Sequence, residues 1–169
     1  FAERAHEGVY RKGTKIPYIT HPMETAAIVT AFTNEPEMIA AALLHDVIED
    51  AGVTKEELEE KFGSRVAFLV ESESEDKSRS WMERKGTTVE HLKSATRDEK
   101  ILALADKLSN IRSTVRDYLV LGDEVWQRFN QKDKEMQGWY YKGVAEALKE
   151  FKGHIYYEEY LMLCKKIFG

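Results

Sequence analysis

Two histidines and two aspartates are the residues of this chain best suited to chemistry, because three of the four lie inside apolar sequence. His45 and Asp46 lie within the stretch EMIAAALLHDVIED, and Asp106 lies within ILALADKLSNI. Moving an ionised carboxylate out of water without a partner is costly, so each aspartate needs a compensating group. A metal ion held by the histidines and aspartates together is one such group.

His21, just before Pro22, completes an ordered set that reads H…HD…D. Two imidazoles and two carboxylates suit a divalent ion such as Mn²⁺, Fe²⁺, Co²⁺ or Zn²⁺, and they leave positions for water and substrate. For an isolated HD dipeptide, a His–Asp hydrogen bond alone would explain the pair. The complete set is more specific, and it predicts a single divalent ion held by His21, His45, Asp46 and Asp106.

Glu49 and Asp50 follow His45 and Asp46 by three to five positions. If one helix continues through them, their carboxylates reach the rim of the same site. The alternative is an acidic helix surface, but the helix dipole disfavours acidic side chains near a C-terminus. We therefore predict that Glu49 and Asp50 are the catalytic pair that orients or deprotonates a water molecule.

A phosphate substrate would need cations near so many carboxylates, and the segment Arg11-Lys12-Gly13-Thr14 offers two of them. Its alternative role is that of a solvated loop. Lys107 is a further candidate for holding an anionic group, while Asn110 is either a surface residue or a substrate contact. Three remaining histidines have no comparable neighbours and are interpreted as structural or surface residues, namely His6, His91 and His154.

The elements that position these residues are predicted to be helices, because apolar residues recur at intervals of three and four. Thr54 followed by Glu57 is typical of a helix start, and Pro22 and Pro36 suit first helical turns. Strand-like alternation is scarce. We predict an all-α fold, a compact helical bundle forming one domain over residues 1–169, with helices over residues 23–32, 37–48, 55–62, 65–70, 88–93, 100–118, 133–151 and 155–168.

Two regions have alternative interpretations. The charged, serine-rich stretch 71–79 is predicted to be a loop, either a solvated connector or a border of the site. The helical part over residues 116–169 is rich in aromatic residues, which either pack in the core or line a nucleotide pocket. These aromatic residues include Trp126, Phe129, Trp139, Tyr140, Tyr141 and Tyr156.

The net charge of −5 argues against binding to duplex nucleic acid or to an anionic membrane, both of which need clustered Lys and Arg. The lone Cys164 cannot form an intramolecular disulfide, and no signal peptide is visible, so we expect a cytoplasmic protein. No apolar run is long enough to span a bilayer. Nothing in the sequence indicates a homo-oligomer.

Four segments of the chain resemble the HD-domain phosphohydrolases related to the RelA/SpoT alarmone hydrolases and their small single-domain relatives. The segments are HEGVYRKGTKIPYITHP, AALLHDVIEDAGVTKEEL, KFGSRVAFLV and LALADKLSNIR. The resemblance covers about residues 1–115. It implies an all-helical HD fold and Mn²⁺-dependent removal of the 3′-pyrophosphate from guanosine tetra- or pentaphosphate.

By the same resemblance, Arg11 would stack on or border the purine, Lys12 would lie near phosphate and Asn110 would contact the nucleoside. The chain departs from the family pattern at ESESEDKSRSWMERKG, which follows the FG…V segment. Two alternatives therefore stay open: a phosphohydrolase of another nucleotide or phosphate ester, and a metal-containing nucleotide sensor without turnover. The presence of Glu49 and Asp50 argues against the sensor, which needs no residue to activate water.

Overall fold

A computed structural model describes residues 1–169, and nearly all of its regular structure is helical. The β structure is confined to one isolated bridge between Tyr10 and Pro17. The predicted all-α fold is therefore confirmed. Contacts within the chain define two compact units, one formed by residues 1–75 and 96–106 and the other by residues 76–95 and 107–169.

The first unit consists of short helices around an aliphatic interior. Helix α3 packs against α2 and α6, α5 packs against α6, and α4 contacts α1 and α6. Fully buried residues of this interior include Ile28, Met38 and Leu58. Its helices are α1 (Ala2–Ala5), α2 (Thr20–Val29), α3 (Pro36–Leu44), α4 (Val47–Ala51), α5 (Lys55–Phe62), α6 (Ser64–Glu73) and residues 97–106 of α8 (Arg97–Leu121).

The helix boundaries of this unit follow the signals in the sequence. Pro36 occupies the first turn of α3, where its missing N–H is not needed. The hydroxyl of Thr54 accepts a hydrogen bond from the Glu57 N–H and caps α5. Gly52 ends α4 in the left-handed conformation, with φ of +67°, which residues with a side chain rarely adopt.

The predicted continuous helix over residues 37–48 is wrong, because the chain leaves the helix at His45 and Asp46. In a continuous helix the Ala42 carbonyl would accept the N–H of residue 46. In the structure the Nδ1–H of His45 donates to this carbonyl at 2.8 Å. Asp46 adopts φ of −97° and ψ of −5°, and α4 begins at the next residue.

The second unit has helices α7 (Trp81–Ser94), α9 (Lys134–Ala147) and α10 (Ile155–Phe168), residues 107–121 of α8, and 3₁₀ segments at Gly122–Arg128 and Lys149–Phe151. Ser80 and Glu83 form a reciprocal capping box at the start of α7. Helix α9 packs against α7 and α10. Gly143 allows the close approach to α7, since an added Cβ would lie 3.2 Å from Val89.

Most aromatic side chains of the second unit contact one another. The ring of Trp126 lies 5.7 Å from that of Phe168 and 6.2 Å from that of Phe129. Tyr140 is buried, whereas Trp139 is 41% exposed. These contacts agree with core packing for Trp126 and Tyr140.

The predicted loop over residues 71–79 begins later in the structure, because α6 continues to Glu73. Residues 74–80 connect α6 to α7. The Ser72 hydroxyl donates a 2.7 Å hydrogen bond to the Leu69 carbonyl in the last turn of α6. None of the helices has the length and apolar character needed to cross a membrane.

Candidate metal centre

The four predicted metal ligands come from three places in the first unit. His21 lies in the first turn of α2, His45 and Asp46 occupy the interruption between α3 and α4, and Asp106 lies on α8. The side chains of His21, His45 and Asp106 are 1–7% exposed and that of Asp46 is 18% exposed. The fold therefore brings two imidazoles and two carboxylates together in a place that is nearly inaccessible to bulk water.

The donor atoms of these residues lie at similar distances from one another. Nε2 of His21 is 3.1 Å from Nε2 of His45, 3.0 Å from Oδ1 of Asp106 and 3.4 Å from Oδ2 of Asp46. Nε2 of His45 is 3.0 Å from Oδ2 of Asp46 and 3.6 Å from Oδ1 of Asp106. Both imidazoles therefore face both carboxylates.

These spacings fit a shared divalent ion. Two ligands that each lie about 2.1 Å from an ion, at roughly 90–110° to one another, are about 3.0–3.4 Å apart. The set contains nitrogen and oxygen donors and no thiolate, which suits borderline and harder divalent ions. His21, His45 and Asp46 alone already form a group able to hold a metal ion.

The tautomer of His45 also suits a ligand. Its Nδ1 lies 2.8 Å from the Ala42 carbonyl oxygen, which can only accept, so Nδ1 must carry the proton that it donates. A neutral imidazole then has its lone pair on Nε2, the atom that faces the carboxylates. Hydrogen bonding of the second ring nitrogen is the usual way in which proteins orient a metal-binding histidine.

Without an ion, the buried groups stabilise one another as charged pairs. Burial opposes the charged form of His45, but Asp46 and Asp106 outweigh it and raise the pKa of His45 well above its usual value. Burial likewise opposes ionisation of Asp46, but His45 and His21 hold its pKa well below the usual range. An ion binding here displaces protons, so its affinity weakens as the pH falls.

Tyr18 is a part of this centre that sequence reasoning missed. Its hydroxyl donates a 2.7 Å hydrogen bond to Oδ2 of Asp46. Burial and the nearby Asp46 raise the pKa of Tyr18, which keeps the phenol protonated. The only sequence signal was its position three residues before His21, a predicted ligand.

His6 was interpreted as structural or surface, and the structure buries it against Tyr18. The two rings have centroids 4.8 Å apart, and His6 is 4% exposed. Neither of its ring nitrogens has a hydrogen-bond partner. Burial lowers the pKa of His6 below its usual value. His6 is thus a neutral packing partner of Tyr18.

The predicted catalytic pair lies on α4, the helix that begins directly after Asp46. Glu49 is partly buried and Asp50 is exposed. The Asp50 carboxylate is close enough to affect the pKa values of His6 and Tyr18. Both residues thus lie in the first turn of the helix that follows the ligand dipeptide, and their catalytic role stays a prediction.

The predicted cationic segment forms a tight turn. The Arg11 N–H donates to the Ile16 carbonyl, and both the N–H and the hydroxyl of Thr14 donate to the Arg11 carbonyl. The guanidinium carbon of Arg11 lies 5.5 Å from the ring centre of Tyr18, which places Arg11 near the metal centre. Lys12 is exposed in the same turn.

Lys107 and Asn110 lie on α8 in the second unit, one and four residues after Asp106. Both side chains are partly exposed. Their role in substrate binding stays a prediction.

Comparison with known proteins identifies the fold that carries this centre. The HD domain family matches residues 1–132 of the chain. The chain belongs to the HD domain family. The match extends beyond the segment 1–115 in which the motifs were recognised, so the HD domain reaches into the aromatic part of the chain.

This HD-domain chain is 35% identical, over 156 residues, to the guanosine-3′,5′-bis(diphosphate) 3′-pyrophosphohydrolase MESH1 of Xenopus tropicalis. The alignment covers 90% of this chain and 82% of the relative. The predicted resemblance to alarmone hydrolases is thereby confirmed.

Two solved structures have the same fold. A crystal structure of lmo0812 from Listeria monocytogenes superposes with a TM-score of 0.80 at 34% identity, covering 88% of this chain and 98% of that one. A metazoan ortholog of SpoT, described as hydrolysing ppGpp, superposes with a TM-score of 0.81 at 27% identity. It covers 98% of this chain and 90% of that one.

Proposed function

We propose that this HD-domain protein is a metal-dependent phosphohydrolase that removes the 3′-pyrophosphate from guanosine 3′,5′-bis(diphosphate). One observation carries the proposal: two imidazoles and two carboxylates present donor atoms 3.0–3.6 Å apart in a nearly buried site. The likeness to MESH1 supports the choice of substrate.

The proposed cofactor is one divalent ion, Mn²⁺ before Fe²⁺, Co²⁺ or Zn²⁺, held by His21, His45, Asp46 and Asp106. When bound, such an ion supplies a water of lowered pKa and neutralises charge on a phosphoryl oxygen. Two carboxylates and two neutral nitrogens also offset the charge of a divalent ion, which favours its retention in a nearly buried place.

The proposed roles of the other residues follow from where they lie. Glu49 and Asp50 orient the water or take its proton, because α4 starts at the metal centre. Arg11 and Lys12 hold the nucleotide's anionic groups or border its base from the turn beside Tyr18. Lys107 and Asn110 are proposed as contacts to phosphate and nucleoside from α8.

In the proposed reaction, water attacks the phosphorus bonded to the 3′-oxygen. The P–O bond to that oxygen breaks, the water oxygen becomes part of the released pyrophosphate, and the proton lost by the water passes through the carboxylate pair to the departing 3′-oxygen. The 3′-oxygen ends as a hydroxyl. No covalent intermediate with the protein is needed, and buried Cys164 takes no part.

The proposal extends to a single catalytic domain over residues 1–169 that acts in the cytoplasm on a free nucleotide. The unbroken run of helix α8 across both units supports one domain. A single calorimetric unfolding transition of the metal-free protein would agree with it, and two separated transitions would contradict it.

The deciding experiment is an assay of the purified protein with Mn²⁺ against a nucleotide panel. Guanosine 3′,5′-bis(diphosphate) should release pyrophosphate, whereas guanosine 5′-diphosphate, which lacks the 3′-group, should not. Chelator-treated protein is the control and should be inactive until Mn²⁺ is restored. Turnover of a different phosphate ester alone would assign another substrate, and no turnover of any nucleotide despite bound metal would indicate a sensor.

A further inference from the structure

We propose that Tyr18 is a positioning residue that joins the metal ligand Asp46 to the substrate-binding turn at Arg11. The inference deepens the proposed function and rests on it for the role of Arg11. It rests on geometry alone for the link to Asp46. Tyr18 makes the two contacts with different parts of its side chain: the hydroxyl contacts Asp46 and the ring contacts Arg11.

The hydroxyl of Tyr18 bonds to the oxygen of Asp46 that faces the imidazoles. Oδ2 accepts the Tyr18 O–H at 2.7 Å and lies 3.0 Å from Nε2 of His45 and 3.4 Å from Nε2 of His21. A carboxylate oxygen has two lone-pair directions, so one can serve an ion while the other accepts the phenol proton. The hydrogen bond thus acts on the ligating atom itself.

Asp46 needs such an external restraint. It lies in the interruption between α3 and α4, outside the regular backbone of either helix. Its side chain is 18% exposed, more than those of the other three ligands. The Tyr18 hydroxyl therefore fixes the orientation of the most exposed of the four carboxylate and imidazole side chains.

The ring of Tyr18 is held from two further directions. His6 packs on it at 4.8 Å between ring centres and is itself almost completely buried. The guanidinium of Arg11 lies 5.5 Å from the ring centre, within range of a cation–π attraction. A shift of the Tyr18 ring therefore changes both its contact with the Arg11 guanidinium and the hydrogen bond from its hydroxyl to Asp46.

Two variants separate the two contacts. Tyr18→Phe removes the hydroxyl and keeps the ring that supports Arg11. Tyr18→Leu removes both. Tyr10→Phe is the matched control, because Tyr10 lies in the same turn region, is 55% exposed and has only backbone pairing with Pro17.

The first readout is binding of Co²⁺ alone, followed by the visible absorption of the bound ion. Tyr18→Phe should weaken Co²⁺ binding about 10-fold, the lower end for loss of an outer-shell hydrogen bond, and should shift the Co²⁺ bands. Tyr10→Phe should match the wild type in both. The melting temperature of the metal-free protein checks that each variant is folded.

The second readout is steady-state kinetics with saturating Mn²⁺. Tyr18→Phe should lower kcat at unchanged KM, whereas Tyr18→Leu should also raise KM, because Arg11 loses its support. Identical Co²⁺ affinity and spectrum in Tyr18→Phe and wild type would overturn the proposal. If the wild type binds Co²⁺ but hydrolyses no 3′-pyrophosphate, the proposed function fails, and the spectrum still decides the role of Tyr18.

Discussion

The two units of this protein bury different kinds of polar residue. Every buried histidine and acidic residue lies in the first unit, and this unit has no fully buried Phe, Tyr or Trp. The buried polar residues of the second unit are the neutral Ser109, Thr114 and Gln137, and its interior is aromatic. The buried aromatic residues are Trp126, Tyr140, Phe151, Tyr157 and Tyr160.

The first unit thus buries the groups that are suited to chemistry, whereas the second unit buries groups that mainly stabilise the fold. Burying ionisable groups is costly even when they are paired, so a buried cluster of them is a candidate functional site. Buried Glu99 is the exception, because it bonds to the N–H and hydroxyl of Thr96 and caps α8. Aromatic side chains, by contrast, bury large areas at little polar cost.

The largest expected effect comes from Asp106→Asn in the first unit. The amide keeps the shape but is an uncharged and weaker ligand than the carboxylate, so we expect loss of bound Mn²⁺ and of metal-dependent turnover. Metal analysis and the nucleotide assay check this. Asp98→Asn on the same helix is the control, because Asp98 pairs with exposed Arg65 and should keep both properties. Full metal occupancy in Asp106→Asn would refute the four-ligand assignment.

Glu49→Gln should separate chemistry from metal binding within the first unit. We expect unchanged metal content and turnover lowered by roughly 10²–10⁴, the usual contribution of a positioned acid or base. Glu60→Gln, an exposed change on α5, should retain full activity. Wild-type turnover in Glu49→Gln would return Glu49 to the helix surface, and loss of metal would make it a ligand.

Asn110→Ala tests whether the second unit takes any part in substrate binding. If Asn110 contacts the nucleoside, KM should rise about 2- to 10-fold, as expected for one neutral hydrogen bond, with metal content unchanged. Steady-state kinetics measure this directly. An unchanged KM would mean that Asn110 does not contribute to substrate binding, and the proposed substrate contacts would then lie mainly in the first unit.

Tyr157→Phe in the second unit should change stability without changing activity. Its hydroxyl donates a buried 2.8 Å hydrogen bond to the Ala145 carbonyl. Losing this bond should lower the free energy of unfolding by about 1 kcal/mol and the melting temperature by roughly 2–4 °C. Tyr10→Phe is the exposed control. A large fall in kcat with normal stability would break the comparison between the units.

The smallest effect is expected at Cys164. Burial raises the pKa of this thiol to about 12, so almost no thiolate exists at pH 8. An aromatic disulfide reagent should label the native protein very slowly and the denatured protein at once. Rapid native labelling would mean that the interior of the second unit opens readily.

The sequence predicted the all-helical fold and the clustering of four polar side chains, because both depend on patterns that can be read locally. Apolar periodicity located α5 and α10 at residues 55–62 and 155–168. Asp46 and Asp106 lie in apolar sequence, where a carboxylate needs a compensating charge, and this directed attention to them and to His45. The structure brings these three residues together with His21.

Two features of the site could not be read from the sequence. The break after α3 depends on the Nδ1–H of His45 taking the Ala42 carbonyl, and apolar periodicity does not report such a side-chain contact. The role of Tyr18 depends on its proximity to Asp46, which lies 28 residues away in the sequence. A tyrosine in an apolar stretch gives no sign of which distant atom its hydroxyl meets.

The interruption at His45 and Asp46 has a coordination-chemical consequence. On a regular helix, adjacent side chains point about 100° apart and do not face each other. Here Nε2 of His45 and Oδ2 of Asp46 are 3.0 Å apart. As the proposed ligands, the two adjacent side chains would form a bidentate chelate whose arms are joined through a single peptide unit. Once one arm has bound an ion, the other arm binds as an intramolecular partner, at a high effective concentration.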